Sequence, residues 1–216
     1  MAINRGVTPP SSSSSFPTTA VFDYGEVISR PQLPEARDRM ERIAGVDPRD
    51  FWTAYWDERP DYDGGLTSTE YWDRISLRLG ADWDGARRQE LWATDVSSWL
   101  HVTERSAGLV DRLADRGVRL ALLSNAPADI AGALRHSPVL TQFDALFFSC
   151  DLGIRKPDPD IYSHVLTELG VTPHETVFVD DREENVLAAK RLGIDAHRYG
   201  DADELESFLT ERFGKF

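Results

Sequence analysis

The chain has 216 residues, of which 41% are hydrophobic, and its formal net charge is −13 at pH 7. This charge excludes nucleic acid as the expected partner, because a phosphate backbone would be repelled rather than neutralised. A single cysteine, Cys150, excludes an intrachain disulfide, and no apolar run reaches membrane-spanning length, so we expect a cytoplasmic protein without membrane contact.

Residues 1–17 are predicted to be a disordered leader. The segment contains Pro9-Pro10 and five consecutive serines, so it offers little apolar surface to bury. An apolar run at residues 19–22 follows and predicts a first strand that delivers Asp23 at its end. Gly25 then allows a tight turn of the backbone beside whatever group the Asp23 carboxylate holds.

Residues 32–99 have helical periodicity and contain all six tryptophans of the chain. We expect most of the indole rings to form the core of a small helical bundle. Because the bundle follows the first strand, we expect it to be a cap domain over the strand tips, separate from a core domain of residues 18–31 and 100–216. The predicted helices are 34–45, 48–57, 67–79 and 85–99.

From residue 104 onward helices and strands alternate, which is typical of βαβ units and a parallel, doubly wound sheet. The predicted fold class is therefore α/β, with a Rossmann-like parallel sheet as the core and a small inserted helical cap. The predicted helices are 104–116, 127–135, 159–169, 182–192 and 203–213, and the predicted strands are 118–123, 145–149, 176–179 and 194–199.

Polar residues stand at or just beyond the ends of four predicted strands. Each is common alone as a cap or a surface residue, but parallel strands bring their carboxyl ends to one edge of a sheet. Clustered carboxylates repel one another unless a divalent cation neutralises them, and hard oxygen ligands suit Mg²⁺. The pattern predicts a phosphoryl-transfer site with a carboxylate nucleophile. Its residues are Asp23, Ser124, Asn125, Lys156, Asp180 and Asp181.

These motifs resemble those of haloacid dehalogenase (HAD) superfamily hydrolases. The resemblance covers roughly residues 18–200, and its most specific stretches are Leu123-Ser124-Asn125, residues 149–158 and residues 179–185. It resembles the branch that holds bacterial glucose-1-phosphatase-like enzymes and the N-terminal phosphatase domain of soluble epoxide hydrolases. The resemblance implies a phosphatase that hydrolyses a small phosphorylated metabolite, with a sugar phosphate as one candidate, through an aspartyl-phosphate intermediate.

The resemblance also implies a role for each site residue. Asp23 would be the nucleophile, and Lys156 would stabilise the charge on the nucleophile and on the transferred group. Phosphate would be bound by Ser124, Asn125 and Lys156. Mg²⁺ would be bound by Asp23, the Gly25 carbonyl, Asp181 and, through water, Asp180.

The first motif departs from the usual phosphatase pattern, which has a second Asp two residues after the nucleophile as general acid and base. Here that position is Gly25. A missing acid favours substrates with good leaving groups, such as anomeric or acyl phosphates. Glu26 is the nearest substitute, although we expect its side chain to point away from the site.

Two alternative functions stay open at this point. A hydrolytic dehalogenase would use the same nucleophile on carbon, but such enzymes of this superfamily replace part of the acidic pair, and this chain keeps both Asp180 and Asp181. A catalytically degraded HAD-fold binding protein would explain the missing acid, but the remainder of the site is intact. The sequence leaves the oligomeric state and the substrate-contacting residues of the cap open.

Overall fold

The core of the fold is a five-stranded parallel sheet with the strand order β3-β2-β1-β4-β5. The computed structural model describes residues 17–216, so the predicted leader lies outside the described residues except for Pro17. The α/β fold class with a parallel sheet is confirmed. The strands are β1 (Thr19–Phe22), β2 (Arg119–Ser124), β3 (Ala145–Phe148), β4 (Thr176–Asp180) and β5 (Asp195–Arg198).

Side chains of the central strands alternate between two hydrophobic layers, as the two-residue period of a strand requires. In β1, Ala20 and Phe22 enter one layer, whereas Val21 enters the other. Helices cover both faces, which explains why these strands are apolar on both sides. The first layer is covered by α5 (Glu104–Asp115), α6 (Ala128–Leu134) and α10 (Ala202–Phe213), and the second by α8 (Pro159–Leu169) and α9 (Glu183–Arg191).

Four further helices lie between β1 and α5, and we call them the helical insert. They are α1 (Pro34–Ala44), α2 (Pro48–Asp63), α3 (Ser68–Leu79) and α4 (Gly85–Ser98). The insert has a hydrophobic core of its own, rich in aromatic rings that include Phe51, Tyr71 and Trp72. As expected from the sequence, four of the six tryptophans belong to this core: Trp52, Trp72, Trp83 and Trp92.

Helix α2 is longer than predicted, because it continues past residue 57 to Asp63. Pro60 lies in its last turn and has no N–H, so the carbonyl of Trp56 loses its helical partner. The last turn of the helix nevertheless stays hydrogen-bonded, because the Gly64 N–H donates to the carbonyls of Pro60 and Asp61, both at 3.1 Å. Burial of Tyr62 in the insert core outweighs the single missing hydrogen bond.

The segment after β3 also differs from the prediction. A short helix, α7 (Ser149–Leu152), replaces the last residue of the predicted strand and the start of the predicted loop. It ends at Gly153, whose φ of 66° suits a residue without a β-carbon. No helix among residues 17–216 combines the length and the apolar character needed to cross a bilayer.

Replacing Leu122 by alanine is expected to lower the free energy of unfolding by about 2–5 kcal/mol, because the side chain is fully buried in β2. Leu77→Ala is the matched control, since Leu77 is 84% exposed on α3 and its loss is expected to cost less than about 0.5 kcal/mol. Urea unfolding of both variants measures the difference. Equal losses would contradict the assignment of the sheet as the stabilising core.

Candidate active site

The strand order brings three of the sequence-predicted residues to one edge of the sheet. β1 lies between β2 and β4, with Phe22 opposite both Leu122 and Val179. Ser124 is the last residue of β2 and Asp180 the last of β4, while Asp23 directly follows β1. All three residues are buried, and Asp23 and Ser124 line one cavity.

The Lys156 ammonium lies at the centre of this edge. Its Nζ is 2.9 Å from Oδ1 of Asp23 and 2.7 Å from Oδ2 of Asp180, and the residue is only 2% exposed. Charge-assisted hydrogen bonds of this length are strong when water is excluded. The ammonium also lies 5.6 Å from the ring centroid of Phe178, on the strand beneath it. Lys156 therefore joins the ends of β1 and β4.

Asn125 holds the backbone of Lys156 in place. Its Nδ2 donates to the Lys156 carbonyl and its Oδ1 accepts from the Lys156 N–H, both at 2.9 Å. Both polar atoms of the side-chain amide therefore bind the loop that carries the lysine. The role of Asn125 in binding phosphate stays a prediction, and its backbone N–H is the group left for that role.

Asp180 accepts several hydrogen bonds inside the protein. Its Oδ1 accepts from the Arg182 N–H at 2.8 Å, and the Asn185 Nδ2 lies 2.9 and 3.0 Å from its two oxygens. The sequence alone indicates no role for Asn185. Its position in the first turn of α9, five residues after Asp180, is the signal that could have identified it.

The carboxylates outnumber the cations that face them. Burial raises the pKa of Asp23 to about 7, and repulsion by Asp180 adds to this effect while the Lys156 ammonium opposes it. Burial likewise raises the pKa of Asp181 to about 6, with Asp180 and Glu26 as nearby negative charges. One ammonium is thus shared by three carboxylates, and the site is short of positive charge.

The geometry of these carboxylates fits a divalent cation. One oxygen from each of Asp23, Asp180 and Asp181 lies within 4.8 Å of the other two. Carboxylate oxygens are hard ligands of the kind that Mg²⁺ takes, and a cation would relieve their mutual repulsion. Gly25 lies in the turn that follows Asp23. In this turn the N–H groups of Ile28 and Ser29 both donate to the Tyr24 carbonyl and not to the Gly25 carbonyl.

A cavity of about 510 Å³ opens above this edge of the sheet. Its floor contains most of the residues predicted from the sequence, namely Asp23, Ser124, Asn125, Lys156 and Asp181. Glu26, whose φ is 55°, also lines the cavity. The opposite wall comes from the helical insert, whose individual lining residues the sequence leaves open. The insert residues that line it are Trp56, Arg59, Pro60, Asp63 and Trp99.

The insert contacts the core domain beside this cavity. The hydroxyl of Ser149 donates to the Asp63 carbonyl at 2.5 Å, and the Tyr62 hydroxyl donates to Oδ2 of Asp129 at 2.8 Å. Ser149 also accepts from the Ala126 N–H at 3.0 Å, next to the phosphate-binding candidates. The end of α2 is therefore fixed over the ends of β2 and β3.

Comparison with known proteins places the chain among hydrolases. The model of a family described as haloacid dehalogenase-like hydrolase matches residues 17–193. The chain is 38% identical over 179 residues to a sesquiterpene phosphatase of Aspergillus oryzae, covering 81% of this chain and 86% of the relative. It is 34% identical over 197 residues to validoxylamine A 7′-phosphate phosphatase of Streptomyces hygroscopicus subsp. limoneus, covering 70% of this chain and 92% of the relative.

Longer relatives share only a part with this chain. Bifunctional epoxide hydrolase 2 of Mus musculus is 42% identical over 198 residues, which are 81% of this chain and 35% of that protein. Among solved structures, a HAD family enzyme of Bacteroides thetaiotaomicron has a TM-score of 0.74 at 22% identity, covering 90% of this chain and 98% of the other. At this identity the structural likeness shows the fold alone.

Replacing Lys156 by methionine is expected to lower the free energy of unfolding by about 3–5 kcal/mol, because two buried carboxylates lose their cation. Arg182→Met is the control, since that guanidinium pairs with Glu184 on the surface and its loss is expected to cost at most about 1 kcal/mol. Urea unfolding at pH 7 without divalent cations compares the two. A loss for Lys156→Met no larger than that for the control would contradict the central role of this ion pair.

Proposed function

This chain belongs to the haloacid dehalogenase-like hydrolases, and we propose that it is a Mg²⁺-dependent phosphatase that acts through a phosphorylated Asp23. The observation that carries the proposal is the position of Lys156 between Asp23 and Asp180, at 2.9 and 2.7 Å, on the floor of a cavity of about 510 Å³. Such a floor offers a carboxylate nucleophile beside a cation that opposes negative charge.

Asp23 is held ready for attack. Its Oδ1 accepts from the Tyr24 N–H at 2.7 Å and faces the Lys156 ammonium at 2.9 Å, so the carboxylate has one orientation. In the first step the carboxylate forms a bond to phosphorus, and the ester bond breaks with its electron pair on the leaving-group oxygen. In the second step water attacks the aspartyl-phosphate and releases phosphate, which restores Asp23.

The other predicted residues bind the metal ion or the phosphate group in this proposal. Mg²⁺, held by Asp23, Asp181, the Gly25 carbonyl and, through water, Asp180, would supply positive charge for the phosphate oxygens. Ser124 and the backbone N–H of Asn125 bind phosphate oxygens, while Lys156 stabilises charge on both reacting groups. The solved enzyme of Bacteroides thetaiotaomicron in complex with magnesium and inorganic phosphate, of the same fold, supports this cofactor.

Gly25 supplies no side chain to protonate the leaving group. Substrates whose leaving group is a weak base, such as acyl phosphates or anomeric sugar phosphates, therefore depend least on the missing acid. Glu26 is exposed and lines the cavity, and its negative charge contributes to the raised pKa of Asp181. Its distance from a leaving group depends on the substrate.

The proposed phosphatase has two domains. Residues 32–99 act as a cap that covers the site, and residues 18–31 with 100–216 form the catalytic core. The partner is a small phosphorylated substrate, and the net charge of −13 supports the absence of nucleic acid and membrane partners. The single cysteine supports a cytoplasmic location.

The two alternatives differ from this proposal in measurable products. A dehalogenase would release halide from 2-halo acids without any need for Mg²⁺, and a binding protein would release neither halide nor phosphate. An assay of both products with Mg²⁺ and with EDTA separates the three functions. Phosphate release that requires Mg²⁺ is the result that we expect.

Replacing Asp23 by asparagine is expected to lower phosphatase kcat by at least about a thousandfold, because the nucleophile is lost. The melting temperature is expected to stay at or above that of the wild type, since a buried charge disappears while the side-chain volume is kept. Asp111→Asn, on the exposed face of α5, is the control for activity and stability. Retained turnover in Asp23→Asn would contradict the proposed mechanism.

Saturating Mg²⁺ is expected to raise the melting temperature by about 5 °C or more, because the ion binds a site that only the folded state holds. Asp181→Asn is expected to abolish most of this shift, since it removes a proposed direct ligand. Differential scanning fluorimetry with potassium chloride of equal ionic strength provides the reference. Equal shifts in both proteins would place the ion elsewhere.

A further inference from the structure

The face of α2 that lines the cavity has a helical repeat. Trp56, Arg59, Pro60 and Asp63 follow the i, i+3, i+4, i+7 spacing, so they share one side of the helix. The other side of α2, which includes Tyr55 and Tyr62, packs into the core of the insert. One helix therefore supplies both the insert core and the wall of the cavity above the phosphate site.

The apolar residues of this wall are exposed to the cavity, whereas the charged ones are mostly buried. Trp56 is 48% exposed and Pro60 is also exposed, whereas the side chains of Arg59 and Asp63 are only 8% and 14% exposed. The surface of α2 that a molecule in the cavity meets is therefore mainly the indole of Trp56 and the ring of Pro60. Single exposed apolar residues are common, but two on one cavity wall form a surface.

The charged residues of the wall are occupied within the insert. Arg59 donates through Nε to Asp63 at 2.7 Å and through Nη1 to the Tyr55 hydroxyl at 2.6 Å. That hydroxyl in turn donates to Oδ1 of Asp95 at 2.6 Å, in a fully buried position. These groups satisfy one another, so much of their hydrogen-bonding capacity is already used before a polar ligand arrives.

Trp99 extends the apolar surface from the end of α4. Its ring lies 6.4 Å from that of Trp56 in an edge-to-face arrangement, and both rings line the cavity. Its Nε1 donates to Oδ1 of Asp95 at 3.2 Å, and the Arg59 guanidinium lies 5.2 Å from its ring centroid. The polar edge of this indole is thus directed into the insert, which fixes the orientation of the ring.

We propose that the leaving group of the substrate is apolar and a weak base, a long-chain acyl or aryl group that packs on Trp56, Pro60 and Trp99. The inference rests on the proposed phosphatase function, in which Asp23 and Lys156 take the phosphate. On this wall a polyhydroxylated leaving group would bury its hydroxyls against indole and proline rings, whereas the polar residues Arg155 and Arg182 line the cavity outside α2. Among the candidates from the sequence, the wall therefore disfavours a sugar phosphate.

A series of n-alkylphosphonates from methyl to octyl tests this proposal. These compounds cannot be hydrolysed and keep the charged head constant, so only the apolar part changes. Their inhibition constants are measured against hydrolysis of acetyl phosphate, an activated substrate without a large leaving group. We expect the inhibition constant to fall by about two- to fourfold per methylene over the chain length that reaches the wall, as burial of each group requires.

The outcomes separate the two proposals. Acetyl phosphate hydrolysis with inhibition constants that do not depend on chain length would overturn the apolar leaving group and leave the phosphatase function intact. If neither acetyl phosphate nor any other phosphate ester is hydrolysed with Mg²⁺, the phosphatase function fails and this inference fails with it. Hydrolysis together with a steep dependence on chain length supports both.

Variants of Trp56 test whether this wall causes the dependence of inhibition on chain length. Trp56→Ala is expected to weaken octylphosphonate inhibition by about tenfold while methylphosphonate inhibition stays unchanged, and Trp56→Phe is expected to restore part of the loss. Leu77→Ala removes an apolar side chain that is 84% exposed outside the cavity, so it is expected to keep the wild-type dependence. An unchanged chain-length dependence in Trp56→Ala would overturn the assignment of this residue.

Discussion

The two ion pairs of Lys156 are the interaction on which the site depends. The ammonium is buried 2.9 Å from Asp23 and 2.7 Å from Asp180, so it joins the ends of two neighbouring parallel strands. With Asp181 beside them, three carboxylates share this one cation, and their charge is only partly balanced. The repulsion between these carboxylates is what a divalent cation at the proposed site would relieve.

The sheet and the insert make different contributions to this site. The parallel order places the polar strand ends at one rim, where the identity of the groups decides the chemistry. Helix α2 brings Trp56 and Arg59 over that rim, and the Ser149 hydroxyl fixes the end of the helix through the Asp63 carbonyl at 2.5 Å. The predicted catalytic residues thus belong to the sheet domain, whereas the opposite wall of the cavity belongs to the insert.

Several residues have roles that their sequence context does not reveal. Asn125 appears in the sequence as a phosphate ligand, yet its side-chain amide binds the backbone of Lys156 through two hydrogen bonds of 2.9 Å. The sequence around Asn185 indicates no role for it, although it donates to Asp180 at the start of α9. In both cases the partner lies on another loop or strand, so local patterns carry no information about the contact.

The sequence by itself determined the α/β class, the alternation of strands and helices, and the group of polar residues at the strand ends. These features follow from local periodicity and from the rule that parallel strands share a carboxyl edge, which need no knowledge of distant contacts. Only the tertiary structure decided which face of α2 meets the cavity and that Pro60 leaves the helix unbroken. That outcome depends on how the aromatic core of the insert packs, and packing is a property of many residues at once.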